Sequence, residues 1–299
     1  MSETQSQARA QAPRPGGAGR RRKSRRATPA TVTGRERLSP EMIRLSFDCP
    51  GIRGAELPFA DHYVKLLFVP EGAGYSWPFD LAEVRETRPR TEQPVMRTYT
   101  LRKIDTDNGA FDIDFVVHGA DGVAGPWAER AEIGEVIPFA GPGGTWAPRP
   151  GAARQVFVGD ESAMPAVAAG VGNLSDEDVA DVFLEVSGED AHVALPVRES
   201  VRVHWVHRGD ATPGTRLVEA VRAAGADAGE DCEWFVHGVA EMVREMRRFL
   251  FVDAGVPRGR VSISGYWRLG MVEDEWQASK REFTAAAEAA EAAGVPGNR

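Results

Sequence analysis

Short runs of aliphatic, aromatic and β-branched residues recur from Ala30 to about Trp146: Thr31–Thr33, Met42–Phe47, Tyr63–Val69, Val95–Leu101, Phe111–Val117 and Val136–Phe139. Turn-forming stretches such as Pro50-Gly51, Pro70-Glu71-Gly72 and Asp107-Asn108-Gly109 separate them. Many short strands at this spacing predict a sandwich or a small barrel. One helical insert is expected at Trp127–Ala131, ending before Gly134. The pattern changes at Ala147-Pro148-Arg149-Pro150-Gly151, a joint rich in Pro and Gly. Beyond it, strand-like and helical runs alternate. Strands are expected at Gln155–Val158, Val179–Val186, Val201–Val206, Glu233–Val236 and Val261–Ser264. Helices are expected near Ala163–Ala169, Arg216–Ala224 and Val239–Leu250, with an Ala/Glu-rich helix over Glu275–Ala293 at the end. Such alternation predicts a parallel, doubly wound sheet, whose ligands bind outside the carboxyl ends of its strands. The expected division is a tail over 1–29, a β-barrel domain over 30–148 and an α/β domain over 149–299.

Length agrees with that division, since 299 residues suit about two domains of roughly 150 residues each. No apolar run approaches the roughly 20 residues that cross a bilayer, so membrane insertion is not expected. Cys49 and Cys232 are the only cysteines. Two thiols exclude a disulfide framework, an all-thiolate zinc site and a four-thiolate iron–sulfur cluster, and they suit a reducing cytoplasm. The net charge of −8 is unevenly spread: eight basic residues against Glu3 give residues 1–26 a charge of +7, leaving −15 on the rest. The tail lacks large apolar side chains, which predicts a solvated, disordered arm. No apolar stretch follows Arg25 and Arg26, as a twin-arginine export signal would require. A nucleic-acid partner is not expected.

Candidate chemistry begins at Arg97-Thr98-Tyr99-Thr100-Leu101-Arg102, on an expected strand. Period-two alternation puts Arg97 and Tyr99 on one face. A guanidinium and an aromatic ring together suit a flavin, the first pairing with phosphate and the second stacking on the cofactor. An ordinary cross-strand Arg/Tyr pairing is the alternative. No histidine pair has helical metal-ligand spacing, and His204 and His207, three apart on a strand, face opposite sides. No protein-bound metal is expected. Gly159-Asp160-Glu161-Ser162 closes the first strand of the second domain and is not a G-x-G-x-x-G fingerprint. Gly170-Val171-Gly172 follows a helix and is read as its C-terminal stop.

Six segments, in order, resemble the siderophore-interacting protein family, flavin-dependent ferric-siderophore reductases of the ferredoxin-reductase-like superfamily. They are His62–Phe68, Arg97–Arg102, Asp114–Gly119, Gly141–Gly144, Gly159–Ala166 and Ser264–Gly270. The resemblance spans about Ala30 to Arg281. It implies a β-barrel FAD-binding domain followed by an α/β doubly wound NAD(P)H-type domain. It further implies that Arg97, Thr98, Tyr99 and Thr100 hold FAD, with Asp114, Val116 and His118 beside the isoalloxazine and ribityl chain. Val123, Ala124, Gly125 and Trp127 would face the pyrophosphate from the opening of a short helix. Asp160, Glu161 and Ser162 would meet a nicotinamide. Lys65, Arg130 and Arg268 would form a basic group for an anionic ferric siderophore. Two departures bear on flavin: Gly125 stands where the family usually has Ser, and Gly143 where it often has Arg. A third is Gly238-Val239-Ala240 in place of Gly-Glu-Ala, which removes an acid near the nucleotide. Arg208 and Arg244 are the candidates for a 2′-phosphate clamp.

The resulting expectation is a monomeric, cytoplasmic flavoenzyme that reduces ferric siderophore through FAD. Its electrons would come from NADPH, NADH or a ferredoxin-type donor, and no acid–base catalytic residue is required. A non-catalytic siderophore-binding protein and a general flavin reductase are the alternatives.

Overall fold

The computed structural model describes residues 27–117, 119, 122–225 and 231–294. Its first half is one antiparallel sheet of β1 (Thr28–Ser39), β2 (Met42–Asp48), β3 (Tyr63–Phe68), β4 (Val95–Thr100), β5 (Lys103–Asp105), β6 (Ala110–Val116) and β7 (Val136–Gly143). The strand order is β4-β3-β7-β1-β2-β6-β5. The sheet curls back on itself. Arg102, just past β4, donates its N–H to Asp112 of β6 at 2.8 Å, and the Tyr99 and Phe115 rings lie 4.4 Å apart across the gap. Inside sit Val32, Leu45, Val64, Leu66, Ile113, Phe115 and Phe139, all fully buried. The alternation in β2 that puts Ile43, Leu45 and Phe47 inward also turns Arg44, Ser46 and Asp48 outward.

Several elements of this half differ from the sequence expectation, the short β5 among them. β1 runs over twelve residues, not three, with register shifts between Val32 and Gly34 and between Arg37 and Ser39. Those bulges and the charged stretch Arg35-Glu36-Arg37 break the period of two that marks a strand. A helix, α1 (Leu81–Thr87), lies in the β3–β4 connection; its apolar stripe is only Leu81 and Val84, too short to read by periodicity. The Asp80 carboxylate caps it, accepting the N–H groups of Ala82 and Glu83. The expected insert is α2 (Ala124–Arg130), which begins three residues earlier and buries Trp127 against Phe68 and Phe115.

The second half is a parallel sheet of β8 (Arg154–Gly159), β9 (Ala180–Val186), β10 (Val201–His207), β11 (Cys232–Val239) and β12 (Val261–Trp267), ordered β10-β9-β8-β11-β12. Every residue of β9 and β11 is buried, as expected of parallel strands covered on both faces. α3 (Met164–Gly172) covers one face through Met164, Val167 and Val171. α4 (Thr215–Ala223) and α5 (Ala240–Arg248) cover the other through Leu217, Val221, Met242 and Met246. The strand order reverses between β8 and β11, so the ligand crevice of such a sheet opens at Gly159-Asp160 and His237-Gly238. Gly170 is helical rather than a stop. A Cβ there would lie 2.6 Å from the Phe157 ring, so its missing side chain is a packing requirement, and the helix ends at Asn173. α5 gives way at Phe249 to a single π-helical turn, ending the helix sooner than its apolar pattern suggests.

The halves are packed together. Leu38, Met42 and Val116 of the barrel join the core against α3, and the linker residue Trp146 lies on Phe235 at 4.5 Å. The Asp61 carboxylate accepts the N–H groups of Thr145 and Trp146 at 2.8 and 2.9 Å, fixing the linker to the barrel. The last helix, α6 (Glu273–Gly294), runs over β12 back toward α5. Buried Glu291 of α6 binds Arg247 and Arg258 there.

Candidate functional site

β4 is the outer strand in the order of the barrel sheet, and the first turn of α6 lies along it. The Arg97 guanidinium, 14% exposed, meets Glu273 at 3.3 Å and Asp274 at 3.3 Å. Burial raises the Glu273 carboxyl pKa, while Arg97 and the nearby Thr98 N–H lower it. Tyr99 extends from the same face as Arg97, as period two requires, and its ring lies on Phe115. Burial, reinforced by Glu273, pushes the Tyr99 phenol upward. Burial pushes the Tyr266 phenol upward, with Thr100 beside it, so the end of β4 lies near the end of β12. Lys65 stands opposite Thr98 in the β3–β4 register and is exposed. The structure therefore brings Lys65, Arg97, Thr98, Tyr99 and Thr100 together with α6 and β12.

Three residues outside the sequence expectation complete this seam. Lys280 of α6 donates to the Ser264 hydroxyl at 2.9 Å, and burial, with Lys65 nearby, lowers its pKa. His237, at the end of β11, stacks on Phe235 at 3.9 Å and meets Tyr266 edge-on at 5.1 Å. Its Nε2 pairs with the Ser262 hydroxyl at 3.0 Å, while its buried Nδ1 has no partner among the described residues. Burial first, and Lys280 second, push the imidazole down to about 3. Glu273 completes the trio. The only sequence sign of Lys280 is that it follows Trp276 by four positions, placing both on one side of α6.

The strand-end acids are committed elsewhere. Buried Asp160 accepts the Ser162 N–H at 3.0 Å and hydroxyl at 2.5 Å on one oxygen. Its other oxygen accepts the Val239 N–H at 2.7 Å and the Trp267 indole N–H at 2.8 Å. It thus ties β8 to β11 and β12. Gly238 fits against it at φ 143°, where a Cβ would lie 2.8 Å from the carboxylate. Glu161 binds Arg208 through both oxygens, at 2.7 and 2.9 Å, and burial raises its pKa to about 7. Glu185, wholly buried, lies 3.9 Å from the same guanidinium and accepts the Gly214 and Leu217 N–H groups at the start of α4. Arg208 is thus held between two carboxylates, and Arg244 pairs with Glu245 at the surface.

Other expected site residues are placed apart from the seam. Asp114 is buried and receives Arg44 through two bonds of 2.7 and 2.8 Å, with Arg102 at 3.9 Å. Val116 packs toward the second domain. His118 lies outside the described residues. Val123 caps α2 without a side-chain hydrogen bond, Ala124 is buried, and Trp127 donates to Glu135 at 2.6 Å. A Cβ on Gly125 would lie 3.3 Å from the Val116 carbonyl, so a seryl side chain there would need the backbone to yield. The Tyr63 ring fills the space beside Gly143, where a Cβ would meet it at 2.6 Å. Arg130 is exposed and forms no ion pair among the described residues. Arg268 pairs with Glu241 at 3.5 Å and lies over the Phe283 ring. Among the described residues no group of three or more His, Cys, Asp or Glu side chains converges as a metal site.

The donor set suits a flavin dinucleotide. Arg97 pairs with Glu273 and with the exposed Asp274, surface contacts that a diphosphate would replace, and Tyr99 and Thr100 follow it on one strand.

A family model described as a siderophore-interacting FAD-binding domain matches residues 31–146, and a second, described as siderophore-interacting protein, matches residues 152–270. An uncharacterized protein of Mycobacterium tuberculosis H37Rv is 36% identical over 270 residues, covering 85% of this chain and 95% of its own. The ferric vibriobactin reductase of Vibrio cholerae is 32% identical over 187 residues, covering 62% of this chain and 68% of its own. In three dimensions the siderophore-interacting protein of Aeromonas hydrophila superposes with a TM-score of 0.73 at 24% identity, over 88% of this chain and 99% of its own. The fold is ferredoxin-reductase-like, a barrel followed by an α/β domain.

Proposed function

The chain belongs to the siderophore-interacting protein family, and from that premise we propose that it is an FAD-dependent reductase of ferric siderophores. The observation that carries this reading is the seam itself, where Arg97, Tyr99 and Thr100 meet the crevice end of the parallel sheet and α6. In this reading Arg97 pairs with the cofactor's phosphate, Tyr99 presents its ring, and Thr100 offers a hydroxyl and a backbone N–H. The start of α2 at Val123, Ala124 and Gly125 supplies backbone donors beside the buried Trp127. FAD, when bound, accepts two electrons together and releases them singly, which matches a hydride donor to two one-electron Fe(III) acceptors. The protein's part is to bind, orient and exclude water. Asp160 fixes the β8, β11 and β12 ends where the donor approaches, with Glu161 and Ser162 beside it. Fe(II) is held less tightly than Fe(III) by hard oxygen ligands, so reduction frees the metal. Electron transfer between separate coordination spheres needs no proton relay.

The donor in this reading is a nicotinamide or a ferredoxin-type protein acting on a monomer in the cytoplasm. Neither Arg208 nor Arg244 is set aside for a 2′-phosphate, since carboxylates hold both. NADH and NADPH are therefore expected to serve with kcat/KM values within about tenfold of each other, a difference of about 1.4 kcal/mol. Steady-state oxidation of the two nucleotides in the presence of ferric siderophore checks this. A preference for NADPH of a thousandfold would show that a phosphate clamp exists. The reading as a whole is tested by ferrous-chelator colour in anaerobic mixtures of holoprotein, donor and ferric siderophore. Fe(II) production that depends on protein and FAD is expected; none with any donor, dithionite included, would overturn it.

A further inference from the structure

His204 and His207 stand three apart on β10, and each has its own partner. His204 pairs with Asp181 of β9 at 3.0 Å. His207, the last residue of β10, meets His192, which follows the short helical turn Glu189–Ala191 in the β9–β10 connection. The two Nε2 atoms lie 2.8 Å apart. Both residues are held from behind. The His192 ring stacks on Trp205 at 4.3 Å and 15°, and its backbone N–H donates to the Glu189 carbonyl at 3.3 Å. His207 is in register with Val186 of β9, and its carbonyl accepts from the Arg216 guanidinium at 2.9 Å. The imidazole pair stands on the outer strand β10, at the carboxyl edge of the parallel sheet and apart from the seam. No step of the proposed reaction uses it.

Two ring nitrogens that face each other share one proton, one nitrogen donating and the other accepting. A metal ion takes both lone pairs once that proton has left. Metal–imidazole bonds of about 2.0–2.1 Å hold two nitrogens about 2.9 Å apart at a right angle and about 3.3 Å apart in a tetrahedron. The observed 2.8 Å is nearer the first value, so the rings need only part slightly and turn, and His207 is exposed enough to do so. A right-angled pair of nitrogens suits tetragonal Cu(II) and Ni(II). We propose that His192 and His207 form an open, two-nitrogen site for a late first-row divalent metal ion. Cu(II) binds most tightly there, with Ni(II) and Zn(II) behind it and Fe(II) weaker still. Water or a small exogenous ligand fills the remaining positions, since among the described residues no group of three or more His, Cys, Asp or Glu side chains converges. The ion is therefore exchangeable, unlike one in a closed four-ligand site. When bound, it links the edge strand β10 to the connection before it. The charge of −15 beyond residue 26 attracts cations to the body of the chain at long range. The site stands independently of the reductase reading.

The test compares the full chain as wild type, H192Q, H207Q, the double variant H192Q/H207Q, and H204Q. Copper(II) sulfate and nickel(II) chloride are titrated by calorimetry in a buffer that does not chelate them. Wild type is expected to bind one more equivalent of Cu(II) than the double variant. Each single variant at position 192 or 207 should hold that equivalent about tenfold more weakly or worse, while H204Q matches wild type. Ni(II) should follow the same pattern at lower affinity. The electron paramagnetic resonance spectrum of Cu(II)-loaded wild type should show splitting from two imidazole nitrogens. Cu(II) should also raise the thermal unfolding midpoint of wild type more than that of the double variant, because an ion bound only by the folded pair stabilises the folded chain. Equal Cu(II) binding by wild type and the double variant would overturn the proposal. So would undiminished affinity in H192Q or H207Q, or an equal loss in H204Q. Should a variant fail to fold, the resonance spectrum of wild type decides: two imidazole nitrogens support the site, and one or none overturns it.

Discussion

Arg97 joins two jobs in one side chain. It ties the barrel to α6 through Glu273 and Asp274, and in the proposed function it pairs with a cofactor phosphate. Arg97→Ala is expected to weaken FAD binding about 100-fold, because losing a charge-assisted bond in a partly dry site costs a few kcal/mol. Arg97→Lys keeps the charge but loses the two-pronged geometry, so it should fall between. FAD titration by flavin absorbance measures both; undiminished affinity in Arg97→Ala would show that the strand does not hold the cofactor. His237 makes a prediction in pH. Its folded pKa is pushed down to about 3 from an ordinary 6.5, so the unfolded chain takes up a proton that the folded one refuses. The stability it supports is present above about pH 6.5 and declines as pH falls toward 3. Between pH 7 and pH 4.5 the wild type should lose on the order of 2–3 kcal/mol more than His237→Gln, read by urea denaturation at each pH. Equal losses would contradict the neutral, buried imidazole. Arg97, Tyr99 and Thr100 were legible because a period of two and a compact motif put them together within four residues. Glu273 was not, because its partner Arg97 lies far away in the chain, and Lys280 was not, because helical periodicity reports a face without naming what covers it.

Among elements, the clamp at Asp160 does most to fix the crevice. One carboxylate gathers the ends of β8, β11 and β12, and its removal strands the Val239 and Trp267 N–H groups in a buried place. Asp160→Ala should therefore destabilise the chain by about 3 kcal/mol, more than a surface substitution, as buried donors are left unpaired. Thermal or urea unfolding measures it, and a loss under about 0.5 kcal/mol would mean the clamp carries little. The resemblance suggested a nicotinamide contact for this residue; the sheet it holds together explains the acid without one. Strands whose apolar runs are continuous or strictly alternating, such as β9 and β2, were legible to within a residue or two. β1 was not, because its bulges and charged middle erase the alternation, and α1 was not, because seven residues with two apolar positions carry no period. Gly170 shows the opposite failure: a glycine near a helix end reads as a stop, whereas Phe157 and Trp146 require it inside the helix.

At the scale of the molecule, the two halves are joined by an apolar patch around Trp146 on one side and by α6 on the other. The seam between them holds Lys65, Arg97 and Lys280 on a body that is otherwise acidic, with a charge of −15 beyond residue 26. Overall architecture was legible because the change from strand repeats to strand–helix alternation is a composition-level signal. The seam was only half legible, since it exists through contacts between the halves. The most direct test is anaerobic: FAD-loaded protein is reduced until its flavin absorbance bleaches, and ferric tris(catecholate) is then added. The expected result is prompt return of the oxidised-flavin spectrum, with two Fe(II) formed per flavin. A protein that takes up no FAD, or whose reduced flavin stays bleached in the presence of the chelate, would contradict the proposed reductase.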